Sequence, residues 1–320
     1  MINVQGLSKL YGSVKAVDHI SFQVEKGETL ILLGTSGCGK TTTLRMINRL
    51  TEPSEGFIEL NNKDISTESP EKLRRGMGYV LQDNGLFPHY TVAENIAIVP
   101  KLLKWDKQRI EKRSLELLEK LHLPASQYLN SYPDQLSGGQ QQRVGLARAL
   151  MADPPVLLMD EPLGALDPVT RANIRKEFNE LDELKGKTIV MVTHDIPEAF
   201  ELGDRICLMD QGKIVQIGTP YQLLFEPQNV FVINFFKDQR LQLELKTLTI
   251  SDVWDLIPDL DNSEATIFST ANSNIWESLE LLLRSGEAIL RIKNAHSETF
   301  KIAGYKELMT AYSEFKNGKK

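Results

Sequence analysis

The sequence predicts an α/β fold on a mainly parallel sheet, and three observations carry that expectation. Short runs rich in Val, Ile and Leu recur between amphipathic stretches, at 29–33, 78–81, 156–159, 188–192 and 205–209. Near-continuous apolar strands of this kind are typical of parallel sheets covered by helices on both faces. A glycine-rich segment leads from the first run straight into a helical pattern, and two adjacent carboxylates end the third.

Length and composition bound what surrounds that sheet. The 320 residues suit two domains, and with 41% hydrophobic and 25% charged residues the chain can bury a sizeable core. A net charge of −6 gives no overall basic footprint, so nucleic acid is not an expected partner. Two cysteines, Cys38 and Cys207, cannot form a disulfide framework and suit a reducing compartment. The opening residues carry no apolar core of a secretory signal. No uncharged apolar run approaches the roughly 20 residues that span a bilayer. The expectation is a soluble chain that reaches a membrane only through a partner.

The remaining elements follow in order. Ile110, Leu115, Leu117, Leu118 and Leu121 interleave with charges, which predicts an amphipathic helix over 106–121. A second helix is expected from 137 to about 152. The pattern changes near 235–239, which sets a boundary between domains 1–237 and 238–320. In the tail the expectation is a strand at 265–269, a helix at 274–283, strands at 288–292 and 300–303, and a last helix from Lys306. Ile275, Leu279, Leu282 and Leu283 form the apolar side of the first tail helix.

Gly34, Thr35, Ser36, Gly37, Cys38, Gly39, Lys40 and Thr41 fit the pattern G-x-x-x-x-G-K-[ST], between a strand and the helical pattern that begins at Thr42. That context makes a phosphate-binding loop. Glycines allow a tight nest in which backbone N–H groups face phosphate oxygens. Lys40 supplies a point charge to the β/γ-phosphates, the Thr41 hydroxyl is a Mg²⁺ ligand, and the helix dipole adds favourable potential. Cys38 reads as a small loop residue rather than a redox centre. At the end of the strand at 156–159, Asp160 is placed to hold Mg²⁺ through water. Glu161 is placed to polarise the attacking water, a role worth about 10²–10⁴-fold in rate.

Ser137, Gly138, Gly139 and Gln140 open the helix after Leu136. Ser137 as N-cap with Gln140 three residues on makes a capping box. Capping explains those two residues but not two glycines in a first turn, which weaken a helix by about 1 kcal/mol each. Glycines suit a place where a phosphate approaches the backbone. One nucleotide already has its loop, so this second anion-binding start points to a nucleotide held by another subunit.

With LSGGQ lying between the phosphate loop and the acidic pair, residues 1–236 resemble the ATP-binding subunits of ABC transporters. The resemblance implies a homodimer that sandwiches two ATPs head to tail, with Ser137 and Gly139 touching the γ-phosphate bound by the opposite chain. It also implies adenine stacking on Tyr11 and a mobile Gln82 that senses Mg²⁺ and water. Gly164, Ala165, Leu166 and Asp167 match the loop in which Asp167 reaches across the dimer. His194 matches the histidine that bonds the γ-phosphate and attacking water. INRLTEPSEG, QDNGLFPHYTVAENIAIVPKLLKW and EPLGALDPVTR resemble importers of glycine betaine, carnitine, choline and proline betaine. Asp83 and Asn84 depart from the usual pattern there.

This family implies membrane permease subunits as partners and, indirectly, an extracytoplasmic substrate-binding protein. The chain would sit on the cytoplasmic face of the membrane, held by the permease. The tail resembles a single CBS-type regulatory module, with a packing or dimerisation appendage as the alternative; 241–257 is too short for a second unit. A sugar or amino-acid importer is the neighbouring reading. A non-transport ABC ATPase lacks support, since no second cassette or long coiled coil is present. A sensor that only binds ATP fits poorly with Glu161 and His194 both in place.

Overall fold

The computed structural model describes residues 1–83, 85–164, 166–258, 265–294 and 299–318. It divides into two compact units, Met1–Ile217 and Gly218–Lys320. That division falls ahead of the boundary expected between 237 and 238. Helices Pro220–Phe225 and Val230–Phe236 thus lie in the second unit, although their pattern reads as a continuation of the first.

The strands of the first unit are β1 (Ile2–Tyr11), β2 (Val14–Val24), β3 (Thr29–Gly34), β4 (Glu55–Leu60), β5 (Lys63–Asp64), β6 (Met77–Val80), β7 (Val156–Asp160), β8 (Thr188–Thr193), β9 (Arg205–Asp210) and β10 (Lys213–Gly218). They form a six-stranded sheet in the order β10-β9-β3-β8-β7-β6 and a four-stranded sheet in the order β2-β1-β4-β5. In the larger sheet β9, β3, β8, β7 and β6 pair in parallel. Each of the five expected apolar runs is one of these strands. Residues of β3, β7 and β8 are almost wholly buried, which is why they read as continuous apolar runs.

The smaller sheet is antiparallel and was not expected. Its first strand is hidden in the sequence because register shifts interrupt β1 after Val4, Leu7 and Lys9. The buried residues Ile2, Val4 and Leu7 therefore slip out of strict alternation.

Five helices, Val92–Ile96, Ile98–Leu102, Lys107–Lys120, Ala125–Tyr128 and Gly138–Leu150, lie between β6 and β7 in the chain. The helix expected over 106–121 is Lys107–Lys120, capped by the Asp106 carboxylate, which accepts from the Arg109 N–H at 2.8 Å. Leu117 and Leu118 are buried, while Leu115, counted on its apolar side, is exposed. Among the described residues no helix is long and apolar enough to cross a membrane.

The second unit carries β11 (Ile267–Thr270), β12 (Ile289–Lys293) and β13 (Phe300–Gly304), with helices Ile275–Ser285 and Tyr305–Gly318. The strands form one sheet in that order, with β11·β12 parallel and β12·β13 antiparallel. The strand–helix–strand–strand–helix order is the expected one, and 241–257 adds a helix and a 3₁₀ turn that pack on it. Ile275, Leu279 and Leu282 are buried, but Leu283 lies at the edge of that stripe and is exposed.

Among the described residues, the core of this unit holds one buried carboxylate. Glu244 has no exposed side-chain surface and accepts from Arg240 Nε at 2.6 Å, Lys316 Nζ at 2.7 Å and the Tyr312 hydroxyl. Burial alone would raise its carboxyl, yet the bonds from Lys316, Tyr312 and Arg240 win and hold it below the ordinary glutamate range. Glu244→Ala leaves three donors without their acceptor and is expected to destabilise this unit by about 3 kcal/mol. Urea unfolding followed through Trp254 and Trp276, both in this unit, checks it. Because the folded carboxyl is depressed, this contribution is present above the unfolded glutamate pKa and fades as the pH falls through the folded one. A midpoint equal to wild type would show that the network contributes nothing.

Candidate nucleotide site

The parallel strands end along one edge of the larger sheet, and each delivers at least one group there. The glycine-rich loop follows β3, Gln82 follows β6, Asp160 and Glu161 end β7, His194 follows β8 and Asp210 ends β9. Ligands of open α/β sheets bind at this carboxyl edge. Ser36, Gly37, Cys38, Gly39, Lys40, Thr41, Thr42, Gln82, Glu161 and His194, with Ala16 of β2, line a cleft of about 570 Å³.

The loop holds its shape through glycine geometry. Gly34 has φ +154°, and a Cβ there would stand 2.1 Å from the Met209 carbonyl oxygen. Gly39 has φ +102°, and its Cβ would stand 2.4 Å from the Ala16 oxygen, so β2 and β9 both crowd the loop backbone. Lys40 is buried and donates from Nζ to the Gly34 and Thr35 carbonyls, at 2.9 Å each. Its ammonium is thus held inside the nest it would share with phosphate oxygens. Cys38 is buried beside it and burial pushes its thiol up, which fits a packed loop residue. Helix Lys40–Ile47 has no side-chain cap, which leaves its first N–H groups for an anion.

The Thr41 hydroxyl donates to Asp160 Oδ1 at 2.8 Å. Asp160 is buried, and burial raises its carboxyl despite the Thr41 bond, so its ionised form gains from a neighbouring cation. These hard oxygen donors fit Mg²⁺, which binds through one or two carboxylates and takes its other ligands from phosphate and water. Among the described residues no group of three or more His, Cys, Asp or Glu could form a metal cage.

Glu161 has φ +46°, a left-handed conformation that costs a non-glycine residue of the order of 1–3 kcal/mol. Its own N–H still donates to the Val192 carbonyl at 3.0 Å, so the strand turns sharply just past its last ladder bond. The turn brings Glu161 Oε2 to 3.1 Å from His194 Nδ1, and Gln82 Nε2 donates to the same oxygen at 3.3 Å. Three residues up to 112 positions apart in sequence thereby meet on one oxygen.

Other expected residues lie elsewhere. Tyr11 ends β1 half-exposed, with Lys9 Nζ 5.3 Å from its ring centroid, and it does not line the cleft. Ser137 caps helix Gly138–Leu150, accepting from the Gln140 N–H at 3.3 Å, while Gln140 Oε1 accepts from the Ser137 N–H at 2.8 Å. This capping box is not part of the cleft of its own chain. Asp167 accepts from the Thr170 and Val169 N–H groups at 3.1 Å each, and bonds to Thr170 and Val169 keep its carboxyl low. Asn84 and Ala165, both of which the sequence reading touched, lie outside the described residues.

A family model described as ABC transporter matches residues 17–164. The glycine betaine uptake system ATP-binding protein of Escherichia coli (strain K12) is 43% identical over 309 residues, spanning 97% of this chain and 99% of that protein. This chain belongs to the ABC transporter family. The glycine betaine/carnitine/choline transport ATP-binding protein of Bacillus subtilis (strain 168) is 50% identical over 75% of this ABC family chain, which spans 63% of that relative's length. Among solved structures, the dimeric structure of a bacterial ABC transporter cassette is 36% identical with a TM-score of 0.62, over 68% of this chain and 98% of that one.

Sequence reasoning missed several residues that shape this ABC cassette. Asp210 Oδ1 accepts from the Thr35 hydroxyl at 3.0 Å, pinning the loop, and a carboxylate at the end of an apolar strand was the available signal. Arg148 donates to the Gly85 carbonyl at 2.7 Å, tying the capping-box helix to the segment after Gln82. Nothing in spacing reveals such a side-chain-to-backbone bond.

Gly39→Ala tests the loop geometry. It combines a left-handed φ with a backbone clash and is expected to cost about 2 kcal/mol or more. That lowers the Tm of the first unit by about 4–8 °C. Gly37→Ala has the same strain (φ +77°) but nothing within 4 Å, so its drop should be smaller. Equal melting curves for all three proteins would remove the crowding argument.

Proposed function

We propose that this chain hydrolyses Mg-ATP as a head-to-tail homodimer and energises import of a quaternary-amine osmoprotectant. The transported solute would be of the glycine betaine, carnitine or choline kind, carried through membrane permease subunits. The observation that carries the catalytic part is the meeting of Gln82 and His194 on Glu161 Oε2, at the cleft that the phosphate loop opens into. The named uptake functions of the relatives support the solute class.

In this reading Gly34 to Thr42 hold the triphosphate through backbone N–H groups, and Lys40 faces the β- and γ-phosphates. Thr41 and Asp160, with Gln82, would hold Mg²⁺, which would supply charge neutralisation to the phosphates. Glu161 accepts the proton of the attacking water. His194, which borders the cleft where the γ-phosphate would lie, steadies the Glu161 carboxylate. Hydrolysis is then mostly positioning plus electrostatic stabilisation. Tyr11 would stack on adenine. Ser137, Gly138, Gly139 and Gln140 would close on the nucleotide of the opposite chain, with Asp167 at the same junction. Ser137 and Gly138 are exposed, which suits a surface that a second subunit covers.

The chain would sit on the cytoplasmic face of the membrane, held by the permease, and serve an extracytoplasmic substrate-binding protein. It would not engage nucleic acid. The second unit would be a CBS-like regulatory or dimerisation module, a reading supported by its strand–helix–strand–strand–helix order. A coupling free energy of about 1–3 kcal/mol would be enough for it to bias the dimer between open and closed states.

Glu161→Gln keeps the shape of the side chain and loses the base. Turnover should fall by about 10²–10⁴-fold while ATP still binds, so Mg-ATP should shift the variant to a dimer in size-exclusion chromatography. A monomer with near-normal turnover would sink the catalytic assignment.

The solute class has its own test. Co-reconstituted with a quaternary-amine permease and its receptor, the chain should drive ATP-dependent uptake of labelled glycine betaine, carnitine or choline. In the same vesicles, a chain ending at Gly218 should respond less to salt or adenine nucleotides at an unchanged maximal rate. No uptake of any of the three solutes would overturn the import reading, and equal responses would reduce the second unit to a packing appendage.

A further inference from the structure

Helix Pro168–Glu180 carries an arginine that neither the phosphate loop nor the acidic pair needs for its own shape. Arg171 is largely buried, and its two terminal nitrogens reach different segments. Nη1 donates to Asp195 Oδ2 at 3.0 Å. Nη2 donates to the Leu166 carbonyl at 2.9 Å and to the Gly164 carbonyl at 3.5 Å. Asp195 directly follows His194, and its other oxygen accepts from the Glu198 N–H at 2.9 Å, capping helix Ile196–Leu202. Gly164 in turn donates its N–H to the Glu161 carbonyl at 3.1 Å. The contacts close a ring: Glu161 to His194, His194 to its neighbour Asp195, Asp195 to Arg171, and Arg171 through Leu166 and Gly164 back to Glu161.

From this ring we infer that Arg171 is a positioning residue that locks the loop after Glu161 to the loop of His194, so that the two catalytic side chains keep one relative placement. The inference rests on the catalytic reading of Glu161 and His194 proposed above. The geometry separates bridging from simple charge balance. Arg175 also pairs with Asp195, at 3.5 Å, and with Glu201, at 3.1 Å, so Asp195 keeps a cation when Arg171 is removed. What only Arg171 supplies is the fork that joins the Asp195 carboxylate to two backbone carbonyls. A guanidinium can span such a set of acceptors, whereas a lysine ammonium acts as a point charge. Small misplacement of reacting groups costs rate far more than binding, and about 1 Å can cost 10²-fold.

The test compares steady-state ATPase of the full-length chain with Arg171→Met, Arg171→Lys, Arg175→Met and Glu161→Gln, with Tm measured for each. Arg171→Met is expected to lower kcat by about tenfold or more with KM for ATP within about twofold, since the phosphate loop is untouched. Arg171→Lys keeps the Asp195 charge pair and should recover only part of the loss. Arg175→Met should keep kcat within about twofold of wild type. Should Arg171→Met melt below the assay temperature, Arg171→Lys carries the decision alone. Wild-type kcat in that variant, or equal losses for Arg171→Met and Arg175→Met, would overturn the bridge. A Glu161→Gln protein that turns over normally would instead overturn the catalytic reading beneath it, which keeps the two failures apart.

Discussion

The parallel pairing of β3, β8 and β7 is the constraint on which the rest of the cleft depends. Leu33 lies opposite Thr193, and Asp160 opposite Val192. Neighbouring strands stand about 4.8 Å apart, so the phosphate loop and the acidic pair leave the sheet at nearly one level, each one strand spacing from the histidine between them. A one-residue slip in either ladder would turn the ends of the strands to the opposite face. The near-continuous burial of these strands opposes that, because both faces are packed and the register is set on each side. The core of the sheet is therefore also the ruler of the site.

On that frame several locally unfavourable features fall where chemistry is proposed. Gly34 and Gly39 admit backbone crowding that no side chain tolerates, Glu161 holds a left-handed φ, and Asp160 keeps a carboxylate in a buried place. Each is unfavourable on its own. Together they leave donors facing the cleft, a carboxylate that gains from a cation, and a second carboxylate turned toward a histidine. An apolar core that already buries β3, β7 and β8 offsets these costs. The same arrangement explains why positions at the strand ends carry the site while strand interiors carry none of it.

Much of this was legible in the sequence because its signals are local. The five parallel strands read as apolar runs, the loop as a glycine spacing, and the acidic pair as a strand ending, and all of these depend on neighbours in the chain. The antiparallel sheet was not legible, since the register shifts in β1 break the alternation that would mark it. Leu115 and Leu283 were misplaced because a leucine at the edge of a helical stripe looks like one at its centre. The place where the chain divides was read late, because an amphipathic helix such as Pro220–Phe225 carries no mark of which core it covers. Arg171, Arg148 and Asp210 act through backbone carbonyls or a distant hydroxyl, contacts that have no spacing rule at all.

The two glycines after Ser137 separate what one chain explains from what it leaves over. A Cβ on Gly139 would come 3.1 Å from Thr170 Cγ2, a contact tight enough that packing within the chain favours glycine there. A Cβ on Gly138 would meet nothing closer than Leu166 Cδ2 at 3.9 Å, an ordinary contact. Glycine in a helix costs about 1 kcal/mol relative to alanine, so at 138 the fold carries that cost without a return inside its own subunit. An exposed first turn with open N–H groups and no Cβ in the way is what an anion approaching from outside needs. The proposed dimer supplies such an anion in the γ-phosphate of the opposite nucleotide. Gly138, rather than the better-packed Gly139 or the self-sufficient capping box, is therefore the residue of this segment that argues most directly for a second subunit.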